Sequence, residues 1–174
     1  MITSAETSIN KRRPAICGLV RLEAGQVVYD HGCGRYPQYV REWAESQGCE
    51  CYSFDPYHST PAEAVKRIGL VFRGGADVVL LSNVLNVIST AKERAACLRA
   101  AAYYMREGGK LYLTVYEGDG KGVGRVTKRD KAGNAVCWQE NRKTADYVEE
   151  IQAALPTKKV SRNGKLIVVE KKED

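Results

Sequence analysis

A short apolar run that leads into a glycine turn, VVYDHGCGRYP, constrains the fold of this chain more than any other stretch. Residues 27–29 favour extended backbone and predict a buried strand, which Asp30 should end. Gly32 and Gly34 then allow the backbone to turn sharply and to approach a ligand closely. Pro37 suits the first turn of a helix, because it lacks an N–H group and has a preset φ. Strand, turn and helix together predict half of a nucleotide-binding βαβ unit.

The residues around this turn indicate which nucleotide the unit binds. The dinucleotide pattern G-x-G-x-x-G requires a third glycine at the position of Pro37. Asp30 can accept hydrogen bonds from an ammonium group, and its charge would repel a pyrophosphate. Asp55 follows the next apolar segment, at the spacing of acids that bind ribose hydroxyls. The two acids therefore favour S-adenosylmethionine over NAD, and the alternative is an ordinary βα turn with a capping aspartate.

The composition bounds the remaining possibilities. A chain of 174 residues predicts a single domain, residues 1–174, whose core needs neither a metal nor disulfides. Its six cysteines form no C-x-x-C pair, and with two histidines a zinc site is not expected. No apolar run reaches the roughly 18 residues of a membrane span, and the N-terminus lacks a signal-peptide core, so we expect a cytoplasmic protein with reduced thiols. The net charge of +6 is compatible with a polyanionic partner, and equally with an ordinary basic surface.

Predicted strands and helices alternate along the chain. Further strands are predicted at residues 50–54, 78–81 and 110–117. Further helices are predicted at residues 61–67, from Thr90 to the pair Gly108-Gly109, and at residues 145–155. This alternation indicates an α/β fold with a parallel sheet. The segment between the second and third strands is short, so the sheet is expected to be reduced at that edge.

The two ends of the chain differ from this pattern. Residues 1–13 are polar and basic and are predicted to be a flexible arm or a lid over the cofactor site. Residues 118–140 are a glycine-rich basic insertion with a hairpin turning near residues 131–134, which we expect to lie over the cleft. Asn163-Gly164 is a strong hairpin signal and predicts an antiparallel closing pair of strands, unlike an NAD-binding fold.

Polar residues interrupt the most apolar strand where it ends. Ser82, Asn83 and Asn86 follow the run ADVVLL, at the sheet edge where open α/β folds bind ligands. We interpret them as part of the ligand site, and the alternative is that an asparagine only caps a turn.

These features together resemble class I S-adenosylmethionine-dependent methyltransferases, through the motif Asp30-His31-Gly32-Cys33-Gly34, the acid Asp55 and the closing hairpin. The resemblance implies a Rossmann-like sheet that is mostly parallel, ends in an antiparallel hairpin and is reduced at the third-strand edge. More narrowly, DHGCGR, FDPY, SNVLNVI and the late GDG are similar to methyltransferases associated with DNA phosphorothioation gene clusters. The likeness extends from about residue 3 to residue 171, and residues 84–88 are its most specific part.

The resemblance also implies a set of cofactor-binding residues. By position, it assigns the methionine part to Asp30, His31, Gly32, Cys33 and Gly34, the ribose to Asp55, the adenine to Pro56 and Tyr57, and the floor beside the sulfonium to Ser82, Asn83 and Val84. The acid that usually binds the adenine amine has no counterpart between residues 56 and 75. Adenine is therefore expected to be held by backbone groups and by stacking on Tyr57.

Methyl transfer needs an in-line approach by the acceptor, so positioning can supply most of the rate, and no catalytic residue is assigned. SNVL replaces the D/N/S-P-P-Y/F tetrad of amino-DNA methyltransferases, and no Pro-Cys pair is found for attack on cytosine. We therefore predict a methyltransferase of unknown acceptor, with nucleic acid or a modified nucleotide as candidates. The alternatives are a non-catalytic S-adenosylmethionine-binding regulatory module and an NAD(P)-dependent oxidoreductase. The oligomeric state is not predicted.

Overall fold

The computed structural model describes residues 2, 4–7 and 10–172. In chain order its strands are β1 (Val27–His31), β2 (Glu50–Phe54), β3 (Ala76–Ser82), β4 (Met105–Thr114), β5 (Gly124–Arg129), β6 (Ala135–Glu140), β7 (Lys158–Asn163) and β8 (Leu166–Lys171). Its α-helices are α1 (Gln38–Ser46), α2 (Pro61–Phe72), α3 (Ala91–Tyr103) and α4 (Val148–Ala154). Short 3-10 turns lie at Ala5–Thr7, Ala15–Gly18, Leu85–Val87 and Thr144–Tyr147.

A six-stranded sheet in the order β2-β1-β3-β4-β8-β7 forms the centre of the protein. The first four strands run parallel, whereas β8 runs antiparallel to both β4 and β7. This confirms the predicted sheet and its closing hairpin, whose turn is formed by residues 164–165, one residue beyond the predicted start. β2 is the edge strand, and α2 leads from it directly to β3. The sheet is therefore reduced at the predicted edge.

Apolar side chains cover both faces of the sheet. Successive residues of β3 point to opposite faces, so Val79 and Leu81 join one buried cluster while Val78 and Leu80 join the other. The first cluster includes residues of α2, α3 and α4, and the second includes residues of α1 and the turn Ala15–Gly18. β3 is buried on both sides, which explains its continuous apolar sequence.

Two element boundaries differ from the prediction in the first half of the chain. β1 continues through Asp30 to His31, because both residues pair with β2. α2 continues beyond residue 67 to Phe72, so residues 70–72 form its last turn. The fully buried Leu70 anchors that turn in the core. The sequence pattern of residues 61–67 alone did not indicate that the helix extends far enough to bury Leu70.

The pair Gly108-Gly109 was expected to end α3, and this is wrong. α3 ends at Tyr103, and both glycines lie inside β4, which begins at Met105 and ends at Thr114. A Cβ atom on Gly109 would lie 2.7 Å from the carbonyl oxygen of Ala76. The glycine is therefore needed for close approach of β3 and β4, at the point where their register shifts.

The glycine-rich segment contains the predicted hairpin. β5 and β6 pair antiparallel, and Oδ1 of Asp130 accepts hydrogen bonds from the backbone N–H groups of Ala132 and Asn134 in the turn. Of the predicted N-terminal arm, residues 1, 3, 8 and 9 lie outside the described residues. The described residues 4–7 pack on β6, where the N–H of Ser4 donates to the carbonyl oxygen of Val136 at 3.0 Å. Flexibility of residues 1–13 stays a prediction.

Candidate functional site

The two predicted acids come together at the carboxyl edge of the sheet. Asp30 lies near the end of β1, and Asp55 follows β2, its parallel neighbour. The N–H of Gly34 donates a hydrogen bond to Oδ2 of Asp55 at 3.1 Å. The glycine turn after β1 is therefore fastened directly to the acid after β2, and both carboxylates are buried, with 3% and 9% exposure.

Asp30 has the electrostatic character expected of a receptor for a cation. Its burial, and then the charge of Asp55, raise the pKa of Asp30 to about 7. Within the part of the chain that the structure describes, no ion pair joins Asp30 to a cationic side chain. An ammonium group placed beside this carboxylate would supply the missing opposite charge.

Asp55 organises the loop that follows β2. Its Oδ1 accepts a hydrogen bond from the N–H of Tyr57 at 2.9 Å, and its own N–H donates to Oγ of Ser59 at 2.8 Å. Each carboxylate oxygen has a second lone pair, so the acid can still accept hydrogen bonds from ribose hydroxyls. Pro56 and Tyr57 are exposed beside it, and a ring that is 48% exposed is accessible for stacking.

The glycine turn packs on the loop after β3. Gly32 has a φ of +77°, and a Cβ atom there would lie 2.7 Å from Cγ2 of Val84. The N–H groups of Gly32 and Cys33 both point to the carbonyl oxygen of Phe54, at 2.8 and 3.4 Å. The structure therefore brings the predicted turn residues and Val84 together around one point.

His31 and Cys33 are not charged groups in this arrangement. Nδ1 of His31 lies 3.0 Å from the hydroxyl of Tyr29, and burial lowers the pKa of His31 to about 4, with a further contribution from Arg67. Burial also raises the pKa of the Cys33 thiol. Both residues shape the turn in neutral form.

The polar residues after β3 are tied to β4. Oγ of Ser82 lies 3.4 Å from Oγ1 of Thr114, and the N–H of Asn83 donates to the carbonyl oxygen of Thr114 at 2.8 Å. Asn83 has a φ of +57°, a left-handed conformation that asparagine tolerates better than most residues. Asn86 is 3% exposed, and its Oδ1 has no hydrogen-bond partner among the described residues.

Residues 4–7, here called the N-terminal segment, bridge three loops at this edge of the sheet. Oγ of Ser4 donates to the carbonyl oxygen of Val87 at 2.7 Å, and it accepts from the N–H of Trp138 on β6 at 3.1 Å. Nε2 of His58, after β2, lies 2.6 Å from the carbonyl oxygen of Ala5. The sequence placed these residues in an arm or a lid but did not predict their individual contacts, because a short polar segment without periodicity gives no signal for them.

An ionic network fixes the base of the β5–β6 hairpin. Nε of Arg94 donates to Oε1 of Glu150 at 2.5 Å, and Nη1 of Arg142 donates to Oε2 of the same carboxylate at 2.8 Å. Nη1 of Arg94 also donates to the carbonyl oxygen of Ile88, at the end of the loop after β3. The network joins that loop, α3, α4 and the hairpin, and the sequence did not predict it.

Two surface depressions lie outside this region, one beside Trp43 and Gln47 and one beside Val148 and Gln152. We place the candidate site at the buried acids nevertheless, because perturbed ionisable groups at the carboxyl edge of a parallel sheet indicate function more strongly than concavity does. Among the described residues, no group of three or more His, Cys, Asp or Glu side chains is placed to hold a metal ion. Within the same residues, no helix has both the length and the apolarity of a membrane span.

The sheet order, the closing hairpin and the glycine turn define the fold as the Rossmann-like fold of class I methyltransferases. No protein-family model and no curated protein sequence matches the chain. Solved structures do match it, at low identity.

TnmH is similar with a TM-score of 0.58 and 16% identity, over 90% of this chain and 53% of TnmH. The sugar N-methyltransferase KedS8 from Streptoalloteichus sp ATCC 53650 has a TM-score of 0.54 and 14% identity, over 98% of this chain and 87% of KedS8. A complex of DhpI with SAH has a TM-score of 0.52 and 18% identity, over 89% and 81% of the two chains. The chain thus spans about half the length of TnmH, and these likenesses show the fold.

Proposed function

We propose that this protein transfers a methyl group from S-adenosylmethionine to an acceptor, with the cofactor held between Asp30 and Asp55. One observation carries the proposal: two buried carboxylates end adjacent parallel strands, and the N–H of Gly34 joins the second to the turn after the first. Asp30 suits the ammonium of the methionine part, and Asp55 suits the ribose hydroxyls. The structural likeness to the N-methyltransferase KedS8 supports the fold that the proposal requires.

The remaining predicted residues have corresponding roles in this proposal. Pro56 and Tyr57 offer an exposed surface for the adenine, and Ser82, Asn83 and Val84 form the floor beside the sulfonium. S-adenosylmethionine supplies an activated methyl group, so the chain needs mainly to orient the cofactor and exclude water. The loop after β3 and the hairpin carry out that exclusion on the acceptor side. No residue is assigned as a base, because a base is required only if the acceptor must lose a proton.

The N-terminal segment lies beside the proposed site, on the loops after β2 and β3. Asp30 and Asp55 are almost completely covered, and the segment joins the loops after β2 and β3 to the hairpin. One of its contacts is an ion pair between Glu6 and Lys128, two half-exposed side chains. Exposed ion pairs of this kind contribute little to stability. In this proposal the segment is a lid that is held mainly by the hydrogen bonds of Ser4 and Ala5 and only weakly by this ion pair.

The class of acceptor is the finer part of the proposal. Exposed cations occur on the β5–β6 hairpin, at Arg125, Arg129 and Lys131, and before β1, at residues 11–13. This distribution supports an anionic acceptor such as nucleic acid or a modified nucleotide. The link to DNA phosphorothioation gene clusters and the cytoplasmic location stay predictions.

Calorimetric titration with S-adenosylmethionine and with its demethylated product is the direct test of the proposed cofactor. Saturable one-to-one binding of both is expected. Absence of binding by either compound would refute the proposal. Transfer of a labelled methyl group to nucleic acid or small molecules from an extract would then separate an enzyme from a non-catalytic binding module.

Asp55→Ala is expected to weaken binding of the demethylated product by about 1–3 kcal/mol, because hydrogen bonds to a charged group are lost. Asp55→Asn keeps one acceptor oxygen and should weaken binding less. Asp130→Ala is the matched control, since Asp130 also accepts hydrogen bonds from turn N–H groups but lies on the hairpin. Equal affinity of Asp55→Ala and Asp130→Ala would show that the ribose assignment is wrong.

A further inference from the structure

The outward side of α2 is entirely apolar. The residues that share it, at helical spacing, are Pro61, Ala62, Val65, Ile68, Gly69 and Phe72. Val65, Ile68 and Phe72 are 68%, 51% and 87% exposed. Single exposed apolar residues are ordinary, but a contiguous apolar stripe on a helix indicates an interaction surface.

The charged residues of α2 lie away from this stripe. Glu63 pairs with Arg41 of α1, and the guanidinium of Arg67 lies 3.6 Å from the centroid of the Phe54 ring. Lys66 stands at the border of the stripe and is exposed. Glu63 and Arg67 thus face their own protein, whereas Val65, Ile68 and Phe72 face solvent beside the exposed Lys66.

Gly69 gives an independent indication. A glycine inside a helix costs about 1 kcal/mol relative to alanine. Its φ is not positive, and a Cβ atom there would meet nothing within 4 Å. Neither the backbone nor the packing of this chain requires glycine at the position, so a gap stands open beside Ile68. Such a gap allows a second helix to approach closely.

The position of α2 in the fold explains why the stripe is uncovered. α2 follows β2, which is the edge strand of the sheet and pairs with β1 alone. The hairpin of β7 and β8 lies at the opposite edge, and the N-terminal segment lies on β6 and the loops at the carboxyl edge. Within the described residues, the three large apolar side chains remain exposed after all these elements have packed.

We propose that α2 is a homodimer interface, in which a second copy of this chain covers the stripe about a twofold axis. In an antiparallel pair, Ile68 of each copy enters the gap at Gly69 of the other, and Phe72 packs over Val65. Small and large residues therefore alternate along one self-complementary stripe, as an isologous interface requires. The antiparallel arrangement also opposes the two helix dipoles favourably.

The apolar area of the stripe limits the affinity that the dimer can have. An apolar patch of this kind covers roughly 300–600 Å² on each copy, the range of the largest patches on monomers. The pair would bury about 1,000 Å² in total, at the lower limit of specific interfaces. The dimer is therefore concentration-dependent. Arg73 is neutralised by its ion pair with Glu50, so Lys66 is the cation whose repulsion between copies salt would screen.

The test is sedimentation velocity on the full chain over a wide range of concentration. The mass should rise from 19.3 kDa toward twice that value. Val65→Lys should weaken association at least tenfold, whereas Val123→Lys should leave it unchanged. The two valines are matched controls, because both are 68% exposed and Val123 lies near the hairpin. Equal melting temperatures of the two variants would show that Val65→Lys acts on the interface and not on folding.

Gly69→Ala distinguishes an interface from a merely structural role. It should raise the melting temperature, because alanine is the better helix former, and should lower dimer affinity at least tenfold, because the gap is filled. A chain that stays at 19.3 kDa at the highest concentration, whether or not it captures another protein, overturns the proposal. Equal association of Val65→Lys and Val123→Lys overturns it as well. None of the three substitutions changes Asp30 or Asp55, so binding of S-adenosylmethionine should be unchanged in all three variants.

Discussion

Asp30→Asn is expected to weaken binding of S-adenosylmethionine and of its demethylated product by about 2–4 kcal/mol, or roughly 30- to 1,000-fold. The side chain is 3% exposed, so the ligand ammonium would be left in a buried position without its counter-charge. Asparagine preserves the volume and one acceptor oxygen, which confines the change to charge. Isothermal titration of the folded variant measures the effect.

The same variant should make the empty protein more stable above neutral pH. The pKa of Asp30 in the folded state is about 7, above its ordinary value of 3.8, because burial and Asp55 disfavour the charged form. Its contribution to stability is therefore present below about pH 4 and is lost as the pH rises to 7. Asparagine does not titrate, so the variant should melt higher than the parent at pH 8 and equally at pH 4.

Asp77→Asn is the control for both measurements. Asp77 is also buried, at 7% exposure, but it has partners: its Oδ2 accepts from the N–H of Val27 at 2.8 Å, and its Oδ1 pairs with Arg106. Its replacement should lower the melting temperature and leave cofactor affinity unchanged. If Asp30→Asn behaves like Asp77→Asn in both measurements, Asp30 is a structural aspartate and the ammonium assignment is wrong.

A pH profile of affinity follows from the same group. Below about pH 7, binding must displace a proton from Asp30, so affinity should fall by up to about tenfold per pH unit. Above about pH 8 the amino group of the ligand loses its own proton, so affinity should fall again. The acid limb should be absent in Asp30→Asn. A parent profile that is flat from pH 5 to 7 would contradict a titrating receptor for the ammonium.

The sequence predicted the parts of the site that depend on neighbouring strands. Asp30 and Asp55 each follow a short apolar run, and consecutive parallel strands end at the same edge, so their meeting follows from local pattern and topology. The closing hairpin was also predicted from a local signal, although its two-residue turn is Gly164-Lys165, one residue beyond the predicted pair.

The parts that sequence did not predict depend on contacts between distant segments. Ser4 bonds to Val87 and Trp138, and Arg94 bonds to Glu150, across separations that no periodicity records. Gly109 is a second example of a contact between distant segments that the sequence did not predict. After a helical pattern, a glycine pair predicts the end of the helix. Only the distance to Ala76 of the neighbouring strand shows that it serves sheet packing instead.

Gly32→Ala is the second change expected to have a large effect. At a φ of +77° an alanine is strained by about 1–2 kcal/mol. Its Cβ atom would also lie 2.7 Å from Cγ2 of Val84, so the turn and the loop after β3 must separate. We expect a total loss of about 2–4 kcal/mol in the free energy of unfolding. Cofactor affinity should fall at least tenfold, because both sides of the proposed site move.

Two further variants separate strain from contact. Gly25 has a φ of +87°, but a Cβ atom there meets nothing within 4 Å, so Gly25→Ala should show the strain alone and normal cofactor affinity. Adding Val84→Ala to Gly32→Ala removes the methyl group in contact and should recover part of the affinity without relieving the strain. Denaturant unfolding and titration of the parent, Gly32→Ala, Val84→Ala and the double variant give the coupling between positions 32 and 84. If Gly32→Ala and Gly25→Ala lose the same stability and neither loses affinity, then the turn does not depend on Val84. In that case the floor beside the sulfonium must be built from other residues. A coupling of about 1 kcal/mol or more between positions 32 and 84 would instead establish that the glycine turn after β1 and the loop after β3 form one surface.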